Sequence, residues 1–329
     1  MLKRFCVAEG DIKPIVVPER DIREATEAIF EACGVNRAGA ARCADVLLSN
    51  DLRGNDSHGV SNMLRQYVAW YRSGKQNPKA EPTIVRETPG TAVMDANGAL
   101  GLHAAPLAMQ LAVDKAKVCG IGCVTLRNAG HLGGAGYHAE VAAKQGCIGQ
   151  CFAGPGGGIV CPTFGAEPRF GTHPIAWATP GADGEAPFLF DVATSSVAGN
   201  KIRLAARLGV KIAANWVTRL DGSVVEEEVD VPDKFFLAPT GGTREQGSHK
   251  GYGLACVADL LSNTLQGTGA GFLTGGGGIT CVAYNIEAFA PRAEFDKWLA
   301  PFLKGLRTCP PSPGNERVLY PGLYAHETR

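Results

Sequence analysis

The sequence predicts a mixed α/β protein, helical at its start and built on a sheet thereafter. Three observations carry that reading. Residues up to about 75 keep apolar positions at helical spacing. From about residue 80, short strand-like runs alternate with helical ones. Two of those runs are joined as a hairpin, which a purely parallel sheet does not contain.

The elements follow in order. Ile22, Ala25, Ile29 and Cys33 share one helix face, and Gly34 supplies the stop. Ala41, Val46 and Leu47 mark a second helix ending near Asp51; Val60, Leu64, Tyr67 and Tyr71 mark a third, closed by Gly74. His58 sits at the start of this third helix, with Asp56 or Ser57 placed to cap it. Residues 83–86 and 91–94 flank Pro89-Gly90 as a hairpin. An alanine-rich helix over 102–118 leads to a buried strand over 121–126, and 175–178 and 188–190 read as strands too. An apolar helix over 251–265, a strand over 279–286, a closing helix over 295–306 and an extended surface segment over 308–314 complete the chain. The expected organisation is a helical part, 1–78, packing with 290–329, and a mixed-sheet domain, 79–289.

Composition narrows the function. The 329 residues, 45% apolar and 19% charged, are enough for a substantial core. Thirty-two acidic residues balance 32 basic ones, which favours neither nucleic acid nor an anionic membrane as partner. No apolar run reaches the roughly 18 residues of a membrane span, and residues 1–10 lack a signal-like stretch. Eleven cysteines without a Cys-x-x-Cys pair, most of them in apolar runs, read as reduced thiols of a cytoplasmic protein rather than zinc ligands, and no metal site is expected.

Three junctions place histidine beside glycine: Asp56-Ser57-His58-Gly59, Gly130-His131-Leu132-Gly133-Gly134 and His249-Lys250-Gly251. Glycine lets a ligand approach the backbone, so three such junctions point to one folded-together enzyme site. Gly134-Ala135-Gly136-Tyr137-His138-Ala139 matches a dinucleotide fingerprint after a strand, where free N–H groups and a helix dipole attract phosphate. The ribose-binding acid expected about 20 residues later is missing from 152–158, which argues against a Rossmann domain.

The run Asp51-Leu52-Arg53-Gly54-Asn55-Asp56-Ser57-His58-Gly59-Val60 resembles the opening motif of the type-2 malate/L-lactate dehydrogenase family. That group includes ureidoglycolate, sulfolactate and diketogulonate oxidoreductases and Δ1-piperideine-2-carboxylate reductases. The resemblance continues in family order through Gly130–Tyr137, Phe170-Gly171-Thr172-His173-Pro174, Asp191-Val192-Ala193-Thr194-Ser195, His249–Gly253 and Tyr320-Pro321-Gly322. It implies a non-Rossmann, L-sulfolactate-dehydrogenase-like fold, a homodimer, and hydride transfer between NAD or NADP and a 2-hydroxy/2-oxo acid or related carbonyl. A cyclic-imine carboxylate reductase and a catalytically silent, cofactor-binding relative are the alternatives.

By the same resemblance His58 is the proton donor, with Ser57 beside it, and His131 is either a second acid/base or a cofactor contact. Gly133, Gly134, Ala135, Asp191, Val192, Ala193, His249, Lys250 and Gly251 fall to the cofactor, and Thr172 to the substrate pocket. His103, His138 and His326 match nothing and read as core or surface residues. The family's substrate-clamping arginine, four residues after the motif histidine, is Asn62 here, with Arg65 as the nearest substitute. His173 replaces the usual asparagine, and Lys201 stands near an aspartate of the imine-reducing branch. Cofactor binding therefore reads as retained, and the substrate pocket as rewritten.

Overall fold

The computed structural model describes residues 16–329; the first ten residues, read above as lacking a signal-like stretch, lie outside them. Helices α1 (Glu19–Ala32), α2 (Arg37–Asp51) and α3 (Val60–Arg72) open the described chain. Their apolar faces meet around Phe30, Cys43, Leu47, Met63 and Tyr67, joined by Leu100 and Leu102 at the head of α4 (Gly101–Cys119).

The strands are β1 (Thr83–Glu87), β2 (Thr91–Asp95), β3 (Ile121–Arg127), β4 (Cys147–Gly154), β5 (Ile175–Ala178), β6 (Leu189–Val192), β7 (Val217–Thr218), β8 (Phe236–Leu237) and β9 (Gly278–Asn285). Seven of them form one sheet in the order β1-β2-β3-β9-β4-β5-β6, and β7 pairs with β8. Only β2 and β3 run parallel in the large sheet, so it is mixed, as expected, and is not doubly wound. Strand β4 went unread because Gly149, Gln150 and Gly154 break its apolar pattern.

Helices α4 and α5 (Ala135–Ala143) lie on one face of this sheet, held close by small residues. A Cβ at Gly122 would fall 1.9 Å from the Ala112 carbonyl oxygen, and one at Gly149 would fall 2.0 Å from that of Ala139. Both are below any real contact, so glycine sets the helix-to-sheet distance. Helix α7 (Ser248–Asp259) and a π turn over 260–264 cover the other face, where Thr280 Oγ1 donates to the Leu261 carbonyl at 2.8 Å.

A smaller lobe, built from α6 (Gly199–Leu208), β7 and β8, packs Val160, Phe170, Ile202, Ile212 and Leu237 against Ala255 of α7. The sequence reading assigned no element between 191 and 250. Asn200 Nδ2 ties this lobe to Met63 of α3 at 3.2 Å. After the short α8 (Gly271–Thr274) and β9 come α9 (Arg292–Arg307) and α10 (Leu323–Thr328). Leu303, Tyr320 and Leu323 of this tail cluster with Ala186 and Phe188, and the Tyr320 hydroxyl donates to the Ala186 carbonyl at 3.0 Å. Among the described residues no helix is long and apolar enough to cross a membrane.

Candidate active site

A cleft of about 1050 Å³ opens where the turn before α3, the loop before α5, the end of β6 and α6 converge. Ser57, His58, His131, Gly133, Gly134, Ala135, Thr172, Asp191, Val192 and Ala193, ten residues expected from separate parts of the sequence, all line it. Five others do not. The Asn62 amide turns back to donate to the Ser57 carbonyl at 2.8 Å, and Arg65 is exposed on α3. His249 and Lys250 are exposed at the start of α7. Gly251 is buried against Thr240, which itself borders the cleft.

The capping of α3 differs from expectation. Neither Asp56 nor Ser57 does it; the Asp51 carboxylate accepts the Val60 N–H at 2.8 Å. Asp56 is exposed, and the Ser57 hydroxyl has other partners. Gly59 makes the arrangement possible, since a Cβ there would overlap the Asp51 carboxylate. Burial pushes the Asp51 carboxyl up to about 6. The motif glycine therefore serves a carboxylate of α2 rather than a ligand.

His58 and His131 lie nearly parallel, ring centres 5.9 Å apart and 15° between planes. Their hydrogen-bond partners differ in kind. His131 Nδ1 accepts the Gly133 N–H at 3.1 Å and lies 2.7 Å from the Tyr67 hydroxyl, so it carries a lone pair and Nε2 carries the proton. A second proton at Nδ1 would point at the Gly133 N–H. Burial first, then His58 beside it, pushes His131 down to about 3. His58 Nδ1 is 2.8 Å from Ser57 Oγ, and burial pushes it down to about 4. Both rings are therefore neutral near pH 7, and only His58 has a geometry compatible with taking a further proton.

The fingerprint glycines open α5, but its first turn is not an empty anion slot: Asp191 Oδ2 accepts the Gly136 N–H at 2.7 Å. Glycine is needed there, because a Cβ at 136 would approach that oxygen to 2.9 Å. Asp191 is exposed to the cleft and keeps a second oxygen for hydroxyl donors such as a ribose diol. Bare backbone at Gly130, Gly133, Gly277 and Gly278 and the rings of Trp70 and Trp216 complete a lining that suits a dinucleotide.

Tyr67 was read from the sequence only as a helix-face residue; a fully buried tyrosine needs a partner for its hydroxyl, and His131 is that partner. Trp70, Trp216 and Lys201 also border the cleft, with the Lys201 ammonium 5.5 Å from the Trp216 ring centre. His173 is buried away from it, with Nε2 2.8 Å from Asp259. His138 is buried against the Leu132 carbonyl, His103 lies between Arg42 and Glu81, and His326 is exposed.

Comparison with known proteins bears on the family and the fold. Residues 17–329 match the family described as malate/L-lactate dehydrogenase. The chain belongs to that family. It is 36% identical to the malate dehydrogenase of Pyrococcus horikoshii over 298 residues, covering 88% of this chain and 82% of that one. Its fold matches the malate dehydrogenase of Entamoeba histolytica with a TM-score of 0.89 at 31% identity, over 96% of this chain and 91% of that one. The sulfolactate dehydrogenase of Methanocaldococcus jannaschii matches with a TM-score of 0.84 at 32% identity, over 95% and 90% of the two chains. The family member described here is thus an oxidoreductase with the expected non-Rossmann fold.

The wiring of His131 makes a spectroscopic prediction. In long-range ¹H–¹⁵N spectra of the free enzyme, His131 should show the Nε2–H tautomer and no protonation between pH 5 and 8, windows well above its value of about 3. A titration midpoint near 6.5 would contradict the assignment.

Proposed function

We propose that this enzyme interconverts a small 2-hydroxy acid and its 2-oxo acid with NAD or NADP. The single observation behind the division of labour is that His131 Nδ1 is committed to the Gly133 N–H, while the ring stacked on it, His58, has at Nδ1 a hydroxyl partner that can give or take a proton. When bound, the nicotinamide supplies or receives the hydride. The chain's own residues then have a proton and a carboxylate to manage. In the oxidative direction neutral His58 accepts the hydroxyl proton at the ring nitrogen remote from Ser57; in the reductive direction its imidazolium returns that proton to the carbonyl oxygen. His131, fixed as a neutral donor, holds a substrate oxygen through Nε2–H.

No arginine lines the cleft among the described residues, so a bidentate guanidinium clamp is not available there. Thr172 and Lys201 border the same cleft and are the donors we assign to the substrate carboxylate. Asp191, Val192 and Ala193 would hold the dinucleotide's ribose, with the backbone of Gly133–Ala135 against it. The relatives named as dehydrogenases of malate and sulfolactate support a small, anionic hydroxy acid.

His58→Gln should lower turnover by about 10²–10⁴-fold while dinucleotide affinity, read by fluorescence titration, stays near wild type. The pH dependence has a defined sign. Oxidation needs neutral His58, so its kcat/KM should be flat near neutrality and fall below pH of about 4; reduction needs the imidazolium, so its kcat/KM should fall as pH rises above that value. Full turnover in His58→Gln would remove the proposal.

We also propose a homodimer. Leu254, Val257 and Leu260 expose apolar surface along α7 and its continuation, joined by Leu265, Phe272 and Leu273, and Leu254 also borders the cleft. Light scattering should give twice the chain mass at micromolar concentration, and Val257→Glu should shift it towards the monomer. A wild-type monomer would contradict the dimer.

A further inference from the structure

Beyond the catalytic pair, we propose that Asn50 and Asn55 are positioning residues that hold His58 in one tautomer, Nδ1–H, leaving Nε2 as the atom that exchanges the proton. This inference rests on the reading of His58 as the acid/base. It comes from following hydrogen-bond polarity outward from a group that has no choice. The Val46 carbonyl in α2 can only accept, and Asn50 Nδ2 donates to it at 2.8 Å. That fixes the orientation of the Asn50 amide, which is only 5% exposed, and presents Oδ1 to the next residue in the chain of contacts.

Asn55 Nδ2 donates to this Oδ1 at 2.8 Å, so Asn55 Oδ1 faces Ser57. The Ser57 hydroxyl, 3.0 Å away, has one proton and gives it to Asn55 Oδ1, an acceptor only. What Ser57 has left for His58 is a lone pair. At 2.8 Å it must therefore receive a proton from His58 Nδ1. Reversing any link would set two acceptors face to face. The backbone repeats the anchoring: Asn55 N–H donates to the Asn50 carbonyl at 2.9 Å, and His58 N–H to the Asn55 carbonyl at 3.0 Å.

The arrangement serves both protonation states. Neutral His58 offers a lone pair at Nε2; imidazolium offers a proton there; Nδ1–H donates to Ser57 in either case, so no dipole has to turn when the proton moves. His131 carries the opposite tautomer, and the pair together presents one acceptor and one donor to the cleft, matching the hydroxyl proton and an oxygen of a 2-hydroxy acid. The chain also passes beneath the cofactor loop: a Cβ on Gly134 would come within 2.5 Å of Asn50 Oδ1, so glycine at 134 leaves room for the first amide.

The test combines ring ¹⁵N spectra with kinetics on the full-length enzyme. Wild-type His58 should show Nδ1–H, a measurement that needs no variant to fold. Asn55→Ala frees the Ser57 hydroxyl to donate, so His58 should gain Nε2–H character and hydroxy-acid oxidation should slow at least about 10-fold, below the about 10⁴-fold that a wrong tautomer costs a serine-protease triad. Dinucleotide affinity should hold. Asn55→Asp gives up the donor to Asn50 Oδ1 but keeps an acceptor for Ser57, so it should retain the Nδ1–H signature while its charge moves the acid limb of the pH profile upward, a readout that loss of packing would not produce. An Nε2–H tautomer in the wild type, or an unchanged spectrum and rate in Asn55→Ala, would overturn the proposal. If either occurs while His58→Gln is inactive, the positioning role fails and the acid/base assignment stands; if His58→Gln is fully active, the assignment itself fails.

Discussion

The chemistry proposed for this cleft depends on one main-chain carbonyl, that of Val46 in the last half of α2. Because it can only accept, it orients the Asn50 amide, and the polarity set there passes through Asn55 and Ser57 to His58. In the proposed mechanism a carbonyl of α2 thus sets the protonation pattern of His58 three side chains away. The opposite ring, His131, takes its polarity from the Gly133 N–H, a backbone donor, which is equally without choice. On this proposal two backbone groups of opposite sign give the two stacked histidines opposite tautomers.

Packing supplies the rest. The same bend that carries Ser57 and His58 is closed by Asp51 on the Val60 N–H, and Gly59 is the only residue that leaves space for that carboxylate. On the facing side, Asp191 at the end of β6 caps α5 through Gly136, which ties the loop before α5 to the sheet. Glycines at 122 and 149 let α4 and α5 settle onto the sheet, and this fixes where the loop bearing His131 emerges. Glycine thus serves two ends here: at 133 and 134 it bares backbone to the cleft, and at 122 and 149 it brings backbone to backbone.

Much of this was legible in the sequence. The periodicity of Val60, Leu64, Tyr67 and Tyr71 gives α3, and the hairpin at Pro89-Gly90 gives the mixed sheet. The motif runs around His58, His131 and Asp191 do meet in one cleft. The unread parts have physical reasons. Strand β4 is interrupted by glycine and glutamine, and β7 and β8 are too short to show a period; α6, by contrast, carries an amphipathic face with Ile202 and Ala205 buried and was legible. The junction His249-Lys250 looked like its two counterparts, yet its side chains are exposed, because adjacency to glycine says nothing of which way a helix start faces. Asn62 and Arg65 share the helix with Tyr67, but one is held by the Ser57 carbonyl and the other faces solvent. The roles of Asn50 and Asn55 could not be read at all, since hydrogen-bond polarity is a property of tertiary contacts.

The central claim, that His58 moves the proton while His131 only donates a hydrogen bond, is tested most directly by the pH–rate profile of hydroxy-acid oxidation in a His131→Gln enzyme. Glutamine keeps a donor in place of the Nε2–H but cannot titrate. The account predicts a lower rate with the acid limb of the wild-type profile intact, because the titrating group is still present. Loss of that limb would contradict it and move the proton chemistry to His131.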